Sequence, residues 1–302
     1  MPFKLFGGKK DDLESAFVET AKRLGIEILK MDRLSAEISY GGESSSLGLE
    51  NLWIDYNKLS KDERPKMLEW YLRSILEGMH PVKERPLAEV ARMLLPVVRA
   101  PFMLDEGEEL PVSKVLFEDI LVAYVVIDSP STKAYIFQKD LDRWGTTFEG
   151  VYETALGNLR RRTSREHMRS NEEMPGMLFY ITDSSPEAYE ASRVLLLKEL
   201  VDPWPEAGVF VSLPARNHMF CVPFTSPEAL KAVQAIVPIT LGVYGEDSHK
   251  ISRDVFRFDG TTFERLPIVM EKGVPKVIVG ESVSKALTTM IEKEKGGGKV
   301  KS

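Results

Sequence analysis

The chain has 302 residues, 43% hydrophobic and 28% charged, a balance that supports one large or two ordinary globular domains. Its formal charge of -6 argues against a basic surface of the kind that binds nucleic acid or anionic membranes. The single cysteine, Cys221, excludes an intramolecular disulfide and a zinc site built from several cysteines.

No stretch of the sequence predicts a membrane span. The longest apolar run, "VLFEDILVAYVVI", contains Glu118 and Asp119 and is shorter than the about 20 residues that a transmembrane helix needs. The N-terminus, "MPFKLFGGKK", lacks the apolar core of a secretory signal. We therefore expect a cytoplasmic protein with no membrane partner.

Residues 11–80 predict a small α+β module. The stretch "DDLESAFVETAKRLG" has a helical apolar stripe, and three predicted strands follow, "IEILKM", "LSAEISY" and "LGLENLWIDY". The turn "GGESSS" separates the last two strands. A second helix, "SKDERPKMLEWYLRSIL", opens with the capping-box pair Ser60 and Glu63. The predicted order is α-β-β-β-α.

Residues 85–270 predict a larger mixed α/β domain. It starts with a helix over "PLAEVARMLLPVV" and continues with an antiparallel pair, "DILVAYVVI" and "KAYIFQ", with Pro130 in the turn. A helix over "TFEGVYETALGNLRRR" has Thr147 as its N-cap. The strand "GMLFYIT" and the helix "SSPEAYEASRVLLLKEL", capped by Ser185, come next.

The end of this domain predicts two hairpins. The strands "GVFVSL" and "HMFCVPF" flank "PARN", and a helix over "TSPEALKAVQAIV" follows from Ser226. Asp259-Gly260 is typical of a two-residue hairpin turn. Residues 271–302 form a C-terminal segment that ends in a predicted disordered basic tail, "EKEKGGGKVKS". The whole chain is thus predicted to be α+β, with mainly antiparallel strands.

The common catalytic and cofactor motifs are absent from the sequence. It has no Gly-rich phosphate loop, no His-Glu-x-x-His and no Gly-x-Ser-x-Gly. The four histidines, at 80, 167, 218 and 249, form no i, i+4 pair. Cys221 lies in an apolar strand and is predicted to be a core residue rather than a nucleophile, because His218 would point to the opposite face. We expect no metal and no cofactor.

Two adjacent polar residues, Arg216 and Asn217, lie at the turn of the first of these hairpins. A guanidinium and an amide at the end of a sheet could recognise a carboxylate, a phosphate or the backbone of a partner. The structural alternative is that Asn217 occupies a left-handed turn position and Arg216 pairs with a nearby acid. The sequence leaves both interpretations open.

Two further groups of charged residues could carry chemistry. Asp128, Asp140 and Asp142, with Trp144, could bind a metal or act as a base, or could be turn residues in a loop. The run "NLRRRTSREHMR", with five arginines between 160 and 169, could contact RNA, although it lacks an aromatic side chain that would stack on a base. The alternative is a solvated helix end.

Residues 85–266 resemble the YtpQ-like family, a bacterial domain of unknown function. The resemblance depends on "LVAYVVID", "KDLDRWGTTFEGVYETALGNL", "LPARNHMFCVPF" and "HKISRDVFRF" in that order. The matched positions are Asp128, Asp140, Leu141, Trp144, Gly145, Asn158, Leu159, Arg216, Ser252 and Phe256. Asn217 departs from the acidic residue that the family has after the arginine. The resemblance implies no activity, because the family has none assigned.

We therefore expect a binding or scaffold protein without catalytic activity, whose partner is a protein or peptide. Arg216 and Asn217 are the predicted polar anchors, and Asp128, Asp140 and Trp144 are further candidate binding residues. The alternative is an enzyme or ligand-binding domain in which Arg216 holds an anion near Asp128 or Asp140. A third hypothesis is RNA contact through the arginines from Arg160 to Arg169, although we expect no nucleic-acid partner.

Overall fold

The computed structural model describes seven stretches of the chain: residues 12–32, 35–79, 85–102, 109–129, 133–170, 178–180 and 189–297. Within them, helices and mainly antiparallel strands in several sheets confirm the predicted α+β class. The chain divides into two compact units. One consists of Met1–Pro86 with Ile127–Ala134, and the other of Leu87–Val126 with Tyr135–Ser302.

The first unit contains a three-stranded antiparallel sheet and three helices. Its elements are α1 (Asp12–Arg23), β1 (Glu27–Asp32), β2 (Ser35–Tyr40), β3 (Glu43–Gly48), α2 (Glu50–Lys58) and α3 (Arg64–Met79). The sheet order is β1-β2-β3. Helices and sheet share one core, in which Phe17, Ile38 and Leu68 are fully buried. This cluster gives residues 12–79 a hydrophobic core of their own.

Two predicted boundaries in this unit are wrong. The stretch predicted as the turn "GGESSS" turns only at Gly41 and Gly42, both with positive φ, and its remaining residues belong to β3. The predicted strand "LGLENLWIDY" is mostly helix α2. Leu49, Leu52 and Tyr56 are all buried, and their spacing of three and four residues places them on one helical face. The order is therefore α-β-β-β-α-α.

The second unit contains most of the residues of two larger sheets. The first has β4 (Leu94–Arg99), β6 (Leu121–Asp128) and β5 (Ser113–Phe117) in that spatial order, with β7 (Lys133–Tyr135) paired to β6. The second has the order β13-β12-β10-β11-β9-β8. Its strands are β8 (Met168–Ser170), β9 (Leu178–Tyr180), β10 (Val209–Ser212), β11 (Phe220–Pro223), β12 (Val255–Phe258) and β13 (Phe263–Leu266).

Six α-helices and a separate hairpin complete the described part of this unit. The helices are α4 (Leu87–Val90), α5 (Gln138–Trp144), α6 (Phe148–Arg161), α7 (Leu197–Leu200), α8 (Ala229–Glu246) and α9 (Glu281–Gly297). The hairpin pairs β14 (Ile268–Glu271) with β15 (Val274–Val277). Short 3-10 helices lie at Ala91–Met93, Arg165–His167 and Ala191–Leu196. The predicted cap of α6 is confirmed, because the Thr147 hydroxyl accepts a hydrogen bond from the Gly150 N–H.

The helix predicted over "PLAEVARMLLPVV" ends at Met93, and β4 takes up the rest of the stretch. Pro96 has no N–H and disfavours a helical conformation in the residue before it. Leu94 to Val98 are all buried, as expected of a strand covered on both faces. A short apolar run without polar gaps does not distinguish a buried strand from a buried helix, which explains the wrong prediction.

Other predictions need smaller corrections. The hairpin at Asp259-Gly260 is confirmed, but its turn has four residues, because Phe258 and Phe263 form the last pair. The Asp259 carboxylate accepts hydrogen bonds from the N–H groups of Thr261 and Thr262, both at 2.8 Å. Helix α9 continues to Gly297, so the first residues of the predicted tail are helical. His80, Pro130 and Ser185 lie outside the described residues.

Gly208 lies immediately before β10 and has φ +85°. A Cβ atom there would lie 2.3 Å from the Phe258 carbonyl oxygen, and the backbone of β12 has little freedom to move away. We expect Gly208→Ala to lower the free energy of unfolding by about 3 kcal/mol. Urea denaturation of the two proteins measures the difference.

Gly242→Ala is the matched control, because Gly242 lies in α8 and a Cβ atom there would have no neighbour within 4 Å. An exposed alanine inside a helix is expected to stabilise by up to about 1 kcal/mol relative to glycine. Equal unfolding midpoints for the two variants would contradict the close approach of Gly208 to β12.

Candidate functional site

The stretch "LPARNHMFCVPF" forms the predicted hairpin. Strands β10 and β11 pair antiparallel up to Ser212 and Phe220, and residues 213–219 connect them. The backbone of this loop is held by a second segment, Asp247–Ser252. The Ser252, Ile251 and Arg216 N–H groups donate to the carbonyl oxygens of Leu213, Pro214 and His249, at 3.1, 2.9 and 3.1 Å respectively. The loop is thus fixed along one side.

A third segment, residues 189–193, also holds the backbone of this loop. The Ala191 N–H donates to the Arg216 carbonyl oxygen at 3.1 Å. The three segments bring together side chains that are distant in sequence. We call these the hairpin-tip cluster, which consists of Glu190, Arg193, Arg216, Asn217, His218 and Asp247. Arg216 and Asn217 are the two predicted anchors in it.

Several polar atoms of the hairpin-tip cluster are buried without a hydrogen bond to any described residue. They include Glu190 Oε2, Asn217 Oδ1 and His218 Nδ1. The Glu190 side chain is deeply buried, since the residue is only 4% exposed. Buried polar groups in native proteins nearly always have a partner, because an unmade hydrogen bond costs about 1–3 kcal/mol. This cluster is therefore where the described structure leaves hydrogen-bonding capacity unused.

The electrostatics of the cluster depend on both acids and bases. Removal from water lowers the pKa of His218 below its ordinary value of 6.5, although Asp247 and Glu190 act in the opposite direction. His218 is therefore neutral at pH 7. Arg193 is fully buried, and its Nη2 donates to the Arg162 carbonyl oxygen at 3.3 Å. Arg216 is half-buried and takes part in interactions of its own.

Asp140 has a structural task that accounts for its burial. It lies in helix α5, where a loop was predicted. Its Oδ2 accepts from the Phe137 N–H at 3.0 Å, and its Oδ1 accepts from Arg143 Nη2 at 3.0 Å. Both carboxylate oxygens thus have a partner: Oδ2 caps the start of the helix, and Oδ1 is bonded to Arg143. Trp144 is the last residue of α5, and the Arg143 guanidinium lies 5.7 Å from its ring centroid.

The other candidate residues have surroundings of their own. Asp128 is half-buried at the end of β6 and is engaged in an interaction. Cys221 is fully buried, and burial raises the pKa of its thiol to about 12, which confirms the predicted core role. In the arginine run, Arg160 forms a bidentate pair with Glu199, and Arg165 pairs with Asp202 at 2.7 Å.

Two members of the cluster, Glu190 and Arg193, are not among the residues predicted from sequence. Both lie in a stretch predicted as a helix, and charged residues of a helix usually face solvent. The structure has instead a 3-10 helix over Ala191–Leu196, preceded by Glu190, and both charged residues are buried. No local pattern signals this, because the segments that bury them are about 25 and 60 residues further along the chain.

The described residues contain neither a metal-binding group of side chains nor a membrane-spanning helix. Across the described stretches, no group of three histidine, cysteine, aspartate or glutamate side chains is placed to hold a metal ion. In the same part of the chain, no helix combines the length and the apolar character that crossing a membrane requires.

Comparison of the chain with family models, curated proteins and solved structures gives no significant match in any of the three. The resemblance to the YtpQ-like family therefore stays a prediction.

The lowered pKa of His218 predicts how stability depends on pH. Because the folded protein holds the proton less tightly than the unfolded chain, the neutral imidazole contributes stability above about pH 6.5. That contribution is lost as the pH falls through the lowered pKa of the folded state. We expect wild type to lose more stability than His218→Gln between about pH 7.5 and about pH 5 in urea denaturation.

The control is His167→Gln, which removes a histidine from the 3-10 helix Arg165–His167, outside the cluster. This variant should retain the wild-type pH dependence. A titration of the imidazoles by NMR measures the His218 pKa directly, and a value at or above 6.5 would contradict the assigned desolvation.

Proposed function

We propose that this protein is a non-catalytic binding module that takes a peptide segment of a protein partner at the hairpin-tip cluster. The proposal depends on one observation: the buried Glu190 Oε2, Asn217 Oδ1 and His218 Nδ1 have no hydrogen-bond partner among the described residues. A bound group that donated hydrogen bonds to these atoms would remove the cost of leaving them unpaired.

The three atoms favour a donor-bearing ligand. A glutamate carboxylate and an amide oxygen only accept hydrogen bonds. The Nδ1 atom of a neutral imidazole also accepts when the proton is on Nε2. Peptides supply such donors as backbone N–H groups and as lysine or arginine side chains. The cluster also contains two acids and two arginines, so the choice of a donor rests on the three unpaired acceptor atoms and not on net charge.

The loop is well placed to act as a recognition element. Asn217 and His218 are half-buried, so the cluster reaches the surface although the three atoms do not contact solvent. The loop backbone is hydrogen-bonded to segments on both sides, at His249 and at Ala191. A loop that is already ordered loses little conformational entropy on binding, which favours affinity.

The two alternative functions have less support. An anion site of Arg216 near Asp128 or Asp140 would need Asp140 to give up the helix start and its pair with Arg143, or Asp128 to give up the interaction in which it is engaged. An RNA surface along the arginine run would need Arg160 and Arg165 to leave Glu199 and Asp202. A cytoplasmic location is part of the proposal and is supported by the single, unpaired thiol of Cys221.

The test uses a displayed library of random peptides selected on the immobilised full-length chain. Enriched peptides should carry a lysine, an arginine or a free N-terminus. Their affinity should fall by about tenfold for Glu190→Gln, because the amide keeps the shape but loses the charged acceptor. Glu206→Gln removes the same charge from an exposed residue that pairs with Lys293, and should change affinity by less than about twofold.

Thermal unfolding of Glu190→Gln separates binding from a structural role. A buried carboxylate oxygen without a hydrogen-bond partner, such as Glu190 Oε2, destabilises the protein, so the neutral isostere should unfold at the same or a higher temperature. A lower unfolding temperature with unchanged peptide affinity would mean that Glu190 holds the fold together. Failure to enrich any peptide would also count against the proposal.

A further inference from the structure

A groove of about 530 Å³ in the second unit has a lining rich in arginine. The described residues that line it are Arg92, Asn158, Arg161 and Arg162. Arg92 comes from the 3-10 helix Ala91–Met93, and the other three come from the C-terminal end of α6 and the residue that follows it. Arg92 and Asn158 are 66 positions apart, so only the tertiary structure joins them.

Asn158 fixes the geometry of this groove. Its side-chain Nδ2 donates to the carbonyl oxygens of Ala91 and Leu94, each at 2.7 Å, and so ties α6 to the residues around Arg92. Its Oδ1 accepts a hydrogen bond from Arg161 Nη2. The residue is 3% exposed, so these bonds are protected from water. The Arg161 guanidinium is therefore oriented before any ligand arrives.

Two of the arginines that line the groove have no acidic partner among the described residues. Arg160 and Arg165, which do not line the groove, pair with Glu199 and Asp202. Arg92 and Arg161, which do line it, form no ion pair with a described residue. The C-terminal end of a helix carries only about half a negative charge. Two guanidiniums thus exceed what the dipole of α6 offsets.

We propose that this groove binds the phosphoryl group of a small phosphorylated molecule. Guanidinium groups donate paired hydrogen bonds to phosphate oxygens, and several arginines converging on one groove suit a multiply charged anion. The groove lies in the about 300–1,000 Å³ range of small-molecule sites and exceeds the size of a phosphate, which leaves room for an organic part. The groove and the hairpin-tip cluster use different ligand-facing side chains, so the inference does not rest on peptide binding.

Calorimetric titration of the full-length chain with inorganic pyrophosphate tests the proposal. Wild type should show saturable binding that weakens with added salt. The double variant Arg92→Gln, Arg161→Gln should bind about tenfold or more weakly, because two charge-assisted contacts are lost. Glutamine at position 161 can still donate to Asn158 Oδ1, and unchanged thermal unfolding would show that the fold is retained.

The matched control is Arg160→Gln, Arg165→Gln, which removes the same charge from the same region but leaves the groove lining intact. Its affinity for pyrophosphate should change by less than about twofold, because the charges of Arg160 and Arg165 are already paired with Glu199 and Asp202. Equal weakening by the two double variants would show that binding depends on the overall positive charge of this region and not on the groove lining. That result, or the absence of saturable binding to wild type, would overturn the proposal.

A single-stranded RNA oligonucleotide distinguishes the other source of phosphate groups. We expect pyrophosphate to bind more tightly than the RNA when compared per phosphate group at the same salt concentration. An RNA that binds tightly and loses affinity equally in both double variants would identify an extended basic surface instead of the groove.

Discussion

The six-stranded sheet is organised around β10, a strand whose four residues are all buried and which has hydrogen-bonded neighbours on both edges. Val209 to Ser212 pair with β11 on one side and with β12 on the other. Side-chain contacts hold the strand in place as well. The Ser212 and Thr240 hydroxyl oxygens lie 2.8 Å apart and join β10 to α8, and the rings of Phe210 and Phe224 are in contact at 4.6 Å. Because the register of β10 is fixed twice, the position of the loop that follows it is fixed too.

The unpaired atoms of the hairpin-tip cluster are unusual within this protein. Other buried polar residues have their partners close by. Asp254, for example, accepts hydrogen bonds from Arg265 Nε at 2.6 Å and from the Ile268 N–H at 3.2 Å. The Asn158 amide nitrogen and the Asp140 carboxylate likewise make two hydrogen bonds each. Against this background, the unused acceptors of Glu190 and Asn217 are the observation on which the proposed binding role rests, because an apolar side chain would have packed there without this cost.

The net charge of the chain does not show how charged side chains are distributed over the second unit. The chain as a whole is acidic, yet arginines at the end of α6 line a groove in which Arg92 and Arg161 form no ion pair with a described residue. The hairpin-tip cluster, in contrast, combines two acids and two arginines with three unpaired acceptor atoms. Arg193 belongs to that cluster and donates to the Arg162 carbonyl oxygen beside the groove. The net charge of the chain therefore does not describe the charge near either group of residues, because the field of an exposed charge is screened within about 8 Å in physiological salt.

The sequence by itself determined the features that depend on local chemistry. The α+β class, the Thr147 cap, the hairpin around Arg216 and the buried thiol of Cys221 all follow from residues close together in the chain. Local patterns failed where a short apolar run fits two structures, as in β4, or where a helical period begins inside an apparent strand, as in α2. Only the tertiary structure decided which charged side chains meet. Glu190 lies close enough to His218 to affect its pKa, and the Asn158 side chain donates a hydrogen bond to the Ala91 carbonyl oxygen. Sheet order and helix packing bring these distant segments together, and no short-range pattern encodes such contacts.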